Sequence, residues 1–281
     1  MRIIFSRKGF DSQYGGVPSP IFDDRTMVSL PIPSRHGRPL GDICCPVGSM
    51  HSVVSDLTEG RLGAQTLVHL DPDLRADSVS RQPGWRPCFG QVSSAQGHLS
   101  RQGVGPGDVF LFFGWFRRAE LYGGRWRFVR DAPNIHSLFG WLQVAEVVDL
   151  GLMSIASMPL WMHDHPHLAY ANQMGTGNTL YIGADRLFDG QHSGAGCFAR
   201  WMPKLQLTAP GQSRSVWRLP AWMNPNIGKA PLSYHANPNR WRLDGDSTLL
   251  ESVAKGQEFV IDIGESTPAR SWLSHLIEQH A

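Results

Sequence analysis

Residues 109–116, which read VFLFFGWF, restrict the fold of this chain more than any other segment. β-Branched and aromatic side chains of this kind pack well on a buried, pleated surface. The segment is the longest apolar run in the sequence, and it is far shorter than the roughly 20 residues of a membrane-spanning helix. The turn-forming sequence GVGPGD precedes it. We therefore predict a buried central strand and no membrane-spanning segment.

The rest of the chain predicts short strands between turns, because it contains 30 Gly, 20 Pro and only 18% charged residues. We predict strands at residues 2–5, 27–33, 126–129, 178–182, 216–219 and 259–263, and a short strand that enters an acidic turn within residues 67–74. Residues 136–148 are predicted as a strand pair or as one long bent strand. A helix is predicted within residues 89–99, and an amphipathic helix is predicted after Thr267 and Pro268. The expected fold is α+β, with a β-rich, partly closed barrel core and a C-terminal helix. We expect one domain over residues 1–281, with a conceivable boundary near residue 150.

Charge and cysteine content limit the class of protein. The net charge of +2 is too small for a strong non-specific hold on nucleic acid. The four cysteines, Cys44, Cys45, Cys88 and Cys197, contain no CxxC pair. We expect reduced thiols rather than a disulfide framework, and a cytoplasmic protein, since the N-terminus has no secretory pattern.

The first loop, residues 6–20, places a cation, a carboxylate and a hydroxyl among glycines and prolines. These side chains are Lys8, Asp11 and Ser12. Glycine and proline fix the backbone of such a loop, which then presents its side chains to a ligand. We expect a catalytic role for the three residues. The alternative is a purely structural loop in which Lys8 pairs with Asp11.

Two histidine-rich segments are candidates for an iron or zinc site. The first reads HDHPH and contains His163, His165 and His167, which would converge in an extended backbone. The second begins HLD, and the H-x-D spacing of His69 and Asp71 is that of a non-haem iron facial triad. A distant histidine would complete that set. The alternatives are a solvated loop and a plain Asp-Pro turn.

Other polar and aromatic residues in predicted ordered loops are candidates for contact with a substrate. Amides, imidazoles, a cation and stacking indoles suit the recognition of a base, and we assign them to binding: Gln91, Gln96, His98, Trp115, Arg214 and Trp217. We add His136, His235 and Glu258 to the catalytic candidates, since imidazole and carboxylate serve as general bases. Core packing and helix capping are the alternative roles. No P-loop, dinucleotide fingerprint or G-x-S-x-G elbow is present in the sequence.

Several motifs in order resemble one known family. They are SRKGFDSQYGGVPSP, SLPIP, HLDPDL, FGQ with AQGHL, GDVFLFFGWFR, IHSLFGWLQV, HPH, RSVWRLPAW, LSYH and KGQEFV. Together they resemble the nucleotide modification associated domain 3 family over nearly the whole chain. The segment GVGPGDVFLFFGWF with FGWLQVAEVV is also similar, more weakly, to the barrel strands of PUA-like modules of the ASCH and EVE type.

The resemblance implies an enzyme that acts on a base or nucleotide in a DNA or RNA modification pathway. Nucleotides or nucleic acid carrying a modified base are the implied partners, along with other proteins of such a pathway. Three alternatives stay open: a non-catalytic reader of modified bases with a PUA-like pocket, a metal-dependent oxidoreductase that uses the histidines and Asp71, and a structural subunit of a modification complex.

Overall fold

The computed structural model describes residues 1–227, 231–253 and 256–279 as a mixed α+β, strand-rich protein. The strands are β1 (Arg2–Arg7), β2 (Ser19–Ile21), β3 (Ile32–Pro39), β4 (Cys44–Cys45), β5 (Gly48–Ser49), β6 (Leu67–His69), β7 (Cys88–Gln91), β8 (Val109–Tyr122), β9 (Arg125–Phe128), β10 (Ile135–Asp149), β11 (Thr179–Gly183), β12 (Ala195–Cys197), β13 (Val216–Pro220), β14 (Trp241–Asp244), β15 (Ser247–Glu251) and β16 (Glu258–Asp262). The α-helices are α1 (Met50–Leu57), α2 (Ser93–Arg101), α3 (Pro166–Ala169) and α4 (Thr267–Glu278).

The main sheet is built around β8, whose first eight residues are the predicted apolar run. Within the described residues the hydrogen-bonded order is β16-β1-β8-β10-β11-β7, with β12 beside β10 and with β2 and β9 beside β8. Strand β1 runs parallel to β8, and β10 runs antiparallel to it. The β8 residues from Val109 to Phe113 are almost fully buried. The predicted central strand is therefore confirmed, because it is buried in the main core and pairs with a strand on each edge.

The main sheet curls strongly, but its described strands do not close into a barrel. The terminal strands β7 and β16 share no ladder of backbone hydrogen bonds among the described residues. Side chains connect them instead, since Nε2 of Gln91 on β7 donates to Oε1 of Glu258 on β16 at 2.6 Å. The α+β prediction is confirmed, whereas a PUA-like barrel is not.

A smaller sheet and the last helix cover one face of the main sheet. The order of the smaller sheet is β13-β15-β14, and Trp217 of β13 packs against Phe113 and Phe259 of the main sheet. Helix α4 buries Leu273, Leu276 and Ile277 in the same core, as its amphipathic pattern predicts. Pro268 lies in its first turn, where the missing N–H costs nothing.

Two predicted elements are wrong in type or extent. Residues 27–31 lie outside the named strands, and β3 begins only at Ile32. The helix predicted across residues 89–99 is in fact strand β7 followed by helix α2, which begins at Ser93. Pairing of β7 with β11 determines the strand, and the sequence of β7 alone does not reveal that partner. Residues 136–148 form one long strand with two irregularities in its register, as one of the two predicted alternatives stated.

None of the helices in the described part of the chain combines the length and apolar character needed to cross a bilayer.

Strand β10 ends at Asp149, and β11 returns beside it, so the main sheet contains strands from both sides of residue 150.

Candidate functional site

Strand β7 separates two polar clusters, because its side chains alternate between the two faces of the sheet. Gly90 lies against the imidazole of His167, where a Cβ atom would come within 2.2 Å of the ring. Phe89 and Gln91 point the other way, toward Lys8 and Glu258. A histidine–carboxylate cluster therefore lies on one face of β7 and a lysine–glutamate cluster lies on the other.

The first cluster contains His69, Asp71 and His167, which we call the His–Asp triad. One ligand-type atom from each residue lies within 4.8 Å of the others. Nε2 of His69 is 3.8 Å from Oδ2 of Asp71, and Nε2 of His167 is 3.7 Å from the same oxygen. These separations are too long for hydrogen bonds. Two ligand atoms that each lie about 2.1 Å from one shared ion are at most about 4.2 Å apart, so both separations fall within the span of a single ion.

Asn178 determines which nitrogen of His167 faces the triad. Nδ1 of His167 is 2.7 Å from Oδ1 of Asn178, and Nδ2 of Asn178 donates to the His167 carbonyl at 2.8 Å. Nδ1 therefore carries the proton, and the lone pair of Nε2 points toward the Asp71 carboxylate. Burial lowers the pKa of His167 to about 4, despite the nearby carboxylate. Two electron-rich atoms thus face each other, an arrangement that a bound cation would stabilise.

Asp71 is held as a carboxylate. Burial alone would raise its pKa, but the imidazoles of His165, His69 and His167 outweigh burial and lower the pKa well below its ordinary value. Its Oδ1 also accepts the backbone N–H of Gly90 at 2.9 Å. An anionic oxygen ligand is therefore present among the imidazoles at neutral pH.

His165 lies behind the triad. Its Nδ1 accepts the backbone N–H of His167, so the proton is on Nε2, which is 3.4 Å from Oδ1 of Asp71. That Nε2 is buried and has no hydrogen-bond partner in the part of the chain that the structure describes. Cys88 is the other neighbour of this ring. With Nδ1 engaged and Nε2 protonated, His165 offers no ligand atom, and its place is beside the Asp71 carboxylate.

The segment that carries these histidines is not extended, contrary to the prediction. Residues Leu160–Asp164 form a 3₁₀ turn, and Pro166 begins helix α3. Proline is well suited to a first helical position, which the extended prediction overlooked. His163 consequently points elsewhere, with its Nε2 3.4 Å from the Met158 carbonyl. The structure brings His165 and His167 to Asp71 and leaves His163 apart from them.

The second cluster consists of Lys8, Gln91 and Glu258, which we call the Lys–Glu cluster. Nζ of Lys8 is 2.9 Å from Oε1 of Glu258, and the side chains are 8% and 1% exposed. Lys8 also lies over the ring of Phe89, 4.4 Å from its centroid. Oε2 of Glu258 is buried without a hydrogen-bond partner among the described residues. The cluster connects the loop after β1 with both terminal strands of the sheet.

Two candidates on helix α2 lie nearby. Nε2 of His98 is 3.0 Å from the Ser233 hydroxyl, and burial lowers its pKa, with the charge of Arg101 adding to the effect. Oε1 of Gln96 accepts the Tyr181 hydroxyl at 3.0 Å. Both side chains are buried and bonded within the protein.

A third group lies on the other face of β1 and β8 from the Lys–Glu cluster. The guanidinium of Arg214 lies 4.4 Å from the ring centroid of Trp115, whose Nε1 donates to Asn134. His136 and Trp217 lie beside this pair, and Nε1 of Trp217 donates to Nδ1 of His136 at 3.0 Å. Trp217 is fully buried, so of these two indoles Trp115 is the one that a ligand can reach.

His136 is expected to make folding depend on pH. Burial, followed by the charges of Arg214 and Arg7, lowers its pKa to about 3. The unfolded chain takes up this proton near pH 6.5, and the folded protein does not. The free energy of unfolding therefore falls as pH decreases from about 6.5 toward 3, by up to about 1.4 kcal/mol per unit from this group.

Chemical denaturation between pH 7.5 and pH 4.5 measures that slope. The variant His136→Asn keeps an acceptor for Trp217 and should show a shallower slope than the parent protein. His192→Asn, which replaces an exposed histidine, should leave the slope unchanged. Equal slopes for His136→Asn and the parent would contradict the claim that His136 causes this pH dependence.

The remaining catalytic candidates have local partners. Oδ1 of Asp11 accepts the N–H groups of Gln13 and Tyr14, which closes the loop on itself, and Ser12 is exposed. His235 is buried, donates from Nδ1 to the Ser233 carbonyl and accepts the Val253 N–H at Nε2. Lys8 pairs with Glu258, not with Asp11.

Sequence reasoning missed Asn178 and Gly90. Asn178 directly precedes strand β11, and nothing in its local sequence marks it as the partner of His167. Gly90 lies in FGQ, where a side chain would collide with His167. Such a close approach is a recognised reason for glycine inside a strand.

The family model described as nucleotide modification associated domain 3 matches residues 2–262. No curated protein and no solved structure matches the chain, so the similarity to PUA-like modules finds no support there.

Proposed function

The chain belongs to the nucleotide modification associated domain 3 family, and from that premise we propose that it is a metal-dependent enzyme that modifies a nucleobase or nucleotide. The observation that carries the proposal is the convergence of two imidazoles and one carboxylate in the His–Asp triad. Side chains of this type and number are the ligands of mononuclear non-haem iron centres, and zinc takes the same donors.

Access to the triad supports a catalytic rather than a purely structural ion. Structural zinc sites are closed by four protein ligands, whereas three ligands leave positions for water and substrate. The side chain of His69 is 22% exposed, while Asp71 and His167 are almost fully buried. A small molecule thus has an approach from the His69 side, and the buried ligands hold the ion in place. A bound ion would supply Lewis acidity or, as iron, redox chemistry.

The residues around the triad have positioning roles in this proposal. Asn178 fixes the tautomer of His167, and the Gly90 N–H and His165 orient Asp71. The Lys–Glu cluster holds the opposite face of β7. In this proposal Gln91, Gln96 and His98 contact the substrate only if their present hydrogen bonds rearrange.

Elemental analysis tests the proposal on protein purified without a His tag or chelator. We expect about one equivalent of iron or zinc, and loss of that metal in His69→Ala and His167→Ala. The matched control is His163→Ala, which removes an imidazole from the same segment but outside the triad. Retention of full metal by His167→Ala, or no uptake of added iron(II) or zinc, would refute the metal site.

Turnover is tested separately with DNA oligonucleotides, RNA and free nucleotides, followed by mass spectrometry of the digested nucleosides. We expect a mass change that disappears with chelator and returns with metal. Modification that survives metal removal would contradict the mechanism. Base-selective binding with no turnover and no metal would favour the second candidate, a non-catalytic reader of modified bases with a PUA-like pocket. The partly exposed Trp115 under Arg214 is the observation that favours it.

Replacing Asn178 by alanine is expected to weaken metal binding about 10- to 100-fold, because His167 loses the partner that orients it. Competition with a chromophoric chelator measures the affinity. Asn224→Ala is the matched control, since Asn224 is equally buried but donates to Thr248. That control is expected to lower stability without changing metal affinity. Equal affinities for the two variants would contradict the orienting role.

A further inference from the structure

We infer that a cavity beside the His–Asp triad, lined in part by Asp71, binds the uncharged base of the substrate and leaves its phosphates outside. This inference rests on the proposed function and adds the part of the substrate that the protein encloses. The cavity measures about 320 Å³ and is partly open to solvent. That volume is at the lower end of the roughly 300–1,000 Å³ of small-molecule sites. It suits a base with its sugar and excludes a length of duplex.

The position of the cavity connects it to the proposed metal site. Residues 70–75 form one wall, and this segment follows His69 directly and includes Asp71 of the triad. Gly9, from the first loop, also lines the cavity. Its φ of +80° and the nearby Ser29 hydroxyl leave no room for a side chain there. A ligand in the cavity would therefore lie against Asp71 of the triad.

The walls combine aromatic surface with a free polar group. Phe139, Phe198, Met27 and Leu74 supply apolar surface, all of it from buried residues. The hydroxyl of Ser29 also lines the cavity, and it has no hydrogen-bond partner among the described residues. Enzymes that act on bases commonly hold the base between aromatic or apolar side chains and read it with a few polar groups.

The charge of the walls argues against a phosphate site. Arg75 is the one basic residue among the described lining residues, and its guanidinium makes two hydrogen bonds to Asp77, at 2.9 and 2.7 Å. Asp71 and Asp73 add carboxylates, of which Asp73 is paired with Arg81. No unpaired cation in this lining is left for a phosphate, which binds where such groups are free. A neutral heterocycle needs no free cation, and its N–H groups can donate to the carboxylates of the wall.

Calorimetric titration of metal-loaded protein with nucleosides, with their 5′-monophosphates and with inorganic phosphate tests the inference. We expect a nucleoside to bind and Ala199→Trp, which fills the exposed mouth of the cavity, to weaken that binding at least tenfold. Ala236→Trp is the matched control, an exposed alanine that is not among the lining residues. Equal affinity in Ala199→Trp and the parent, no binding of any nucleoside, or displacement of nucleoside by inorganic phosphate would overturn the inference.

Alkylation of Cys44 gives a second readout that needs no variant. Cys44 is exposed and lines the cavity mouth, so a bound nucleoside should slow its reaction with iodoacetamide. Metal content is measured on the same samples. Nucleoside binding in protein that holds no metal would refute the proposed function and leave the cavity assignment intact. One equivalent of metal without protection of Cys44 would refute the cavity assignment and leave the proposed function intact.

Discussion

Asp71→Ala is expected to lower the free energy of unfolding of the metal-free protein by about 3 kcal/mol, because it removes the shared partner of several buried groups. The Gly90 N–H loses its acceptor, and His69, His165 and His167 lose the carboxylate that they face. Leaving a buried donor without a partner costs about 1–3 kcal/mol on its own. Denaturant unfolding after chelation measures the loss.

Asp71→Asn separates folding from metal binding. The amide oxygen can still accept the Gly90 N–H, so we expect a smaller loss of stability than in Asp71→Ala. Both variants should retain less than about a tenth of the parent's metal, since neither offers an anionic ligand. The control is Asp164→Ala, whose exposed carboxylate pairs with Arg38 and is expected to contribute less than about 1 kcal/mol. Parent-like stability of Asp71→Ala would contradict the role of Asp71 in holding the cluster.

Glu258→Ala is expected to cost about 3–5 kcal/mol, because it leaves the Lys8 ammonium buried without its counter-charge. Gln91 loses its acceptor at the same time. The two terminal strands of the main sheet are joined through this carboxylate. Unfolding in urea measures the cost, and Glu120→Ala, from the exposed Arg127–Glu120 pair, is the control with an expected loss below about 1 kcal/mol.

A double variant decides whether the Lys–Glu cluster acts in structure or in catalysis. Replacing a buried ion pair by apolar residues of similar size is often close to neutral, so Lys8→Met with Glu258→Leu should recover most of the loss. Recovery of both stability and turnover would assign the cluster to structure. Recovery of stability without turnover would support the catalytic roles predicted for Lys8 and Glu258. If the stability losses of the two single variants simply add in the double variant, Lys8 and Glu258 are not energetically coupled. That result would contradict the account of the ion pair.

The framework of the fold could be predicted where a segment carries its own signal. The aromatic run of β8 and the one-sided apolar pattern of α4 define a buried strand and a docked helix from local sequence alone. Strand β7 could not be predicted, because its four residues are a strand only through pairing with β11, about 90 residues later in the chain. The curl of the sheet depends on the same kind of distant contact.

The candidate site could likewise be predicted only in part, because some of its residues depend on contacts that are distant in sequence. The H-x-D spacing predicted His69 and Asp71 as ligands, and the HDHPH segment supplied three histidines for the remaining position. Sequence spacing could not select His167, because that choice depends on the turn before Pro166 and on helix α3. Lys8 and Glu258 were both predicted as functional residues, yet nothing in a one-dimensional pattern could pair residues at opposite ends of the chain.

Anomalous diffraction from crystals grown with iron(II) or zinc tests the central claim most directly. The account predicts one anomalous peak about 2.0–2.2 Å from Nε2 of His69, Nε2 of His167 and the Asp71 carboxylate, with open positions toward the His69 side. A stoichiometric metal whose peak lies away from these three residues would contradict it, as would crystals soaked in metal that show no peak at the triad.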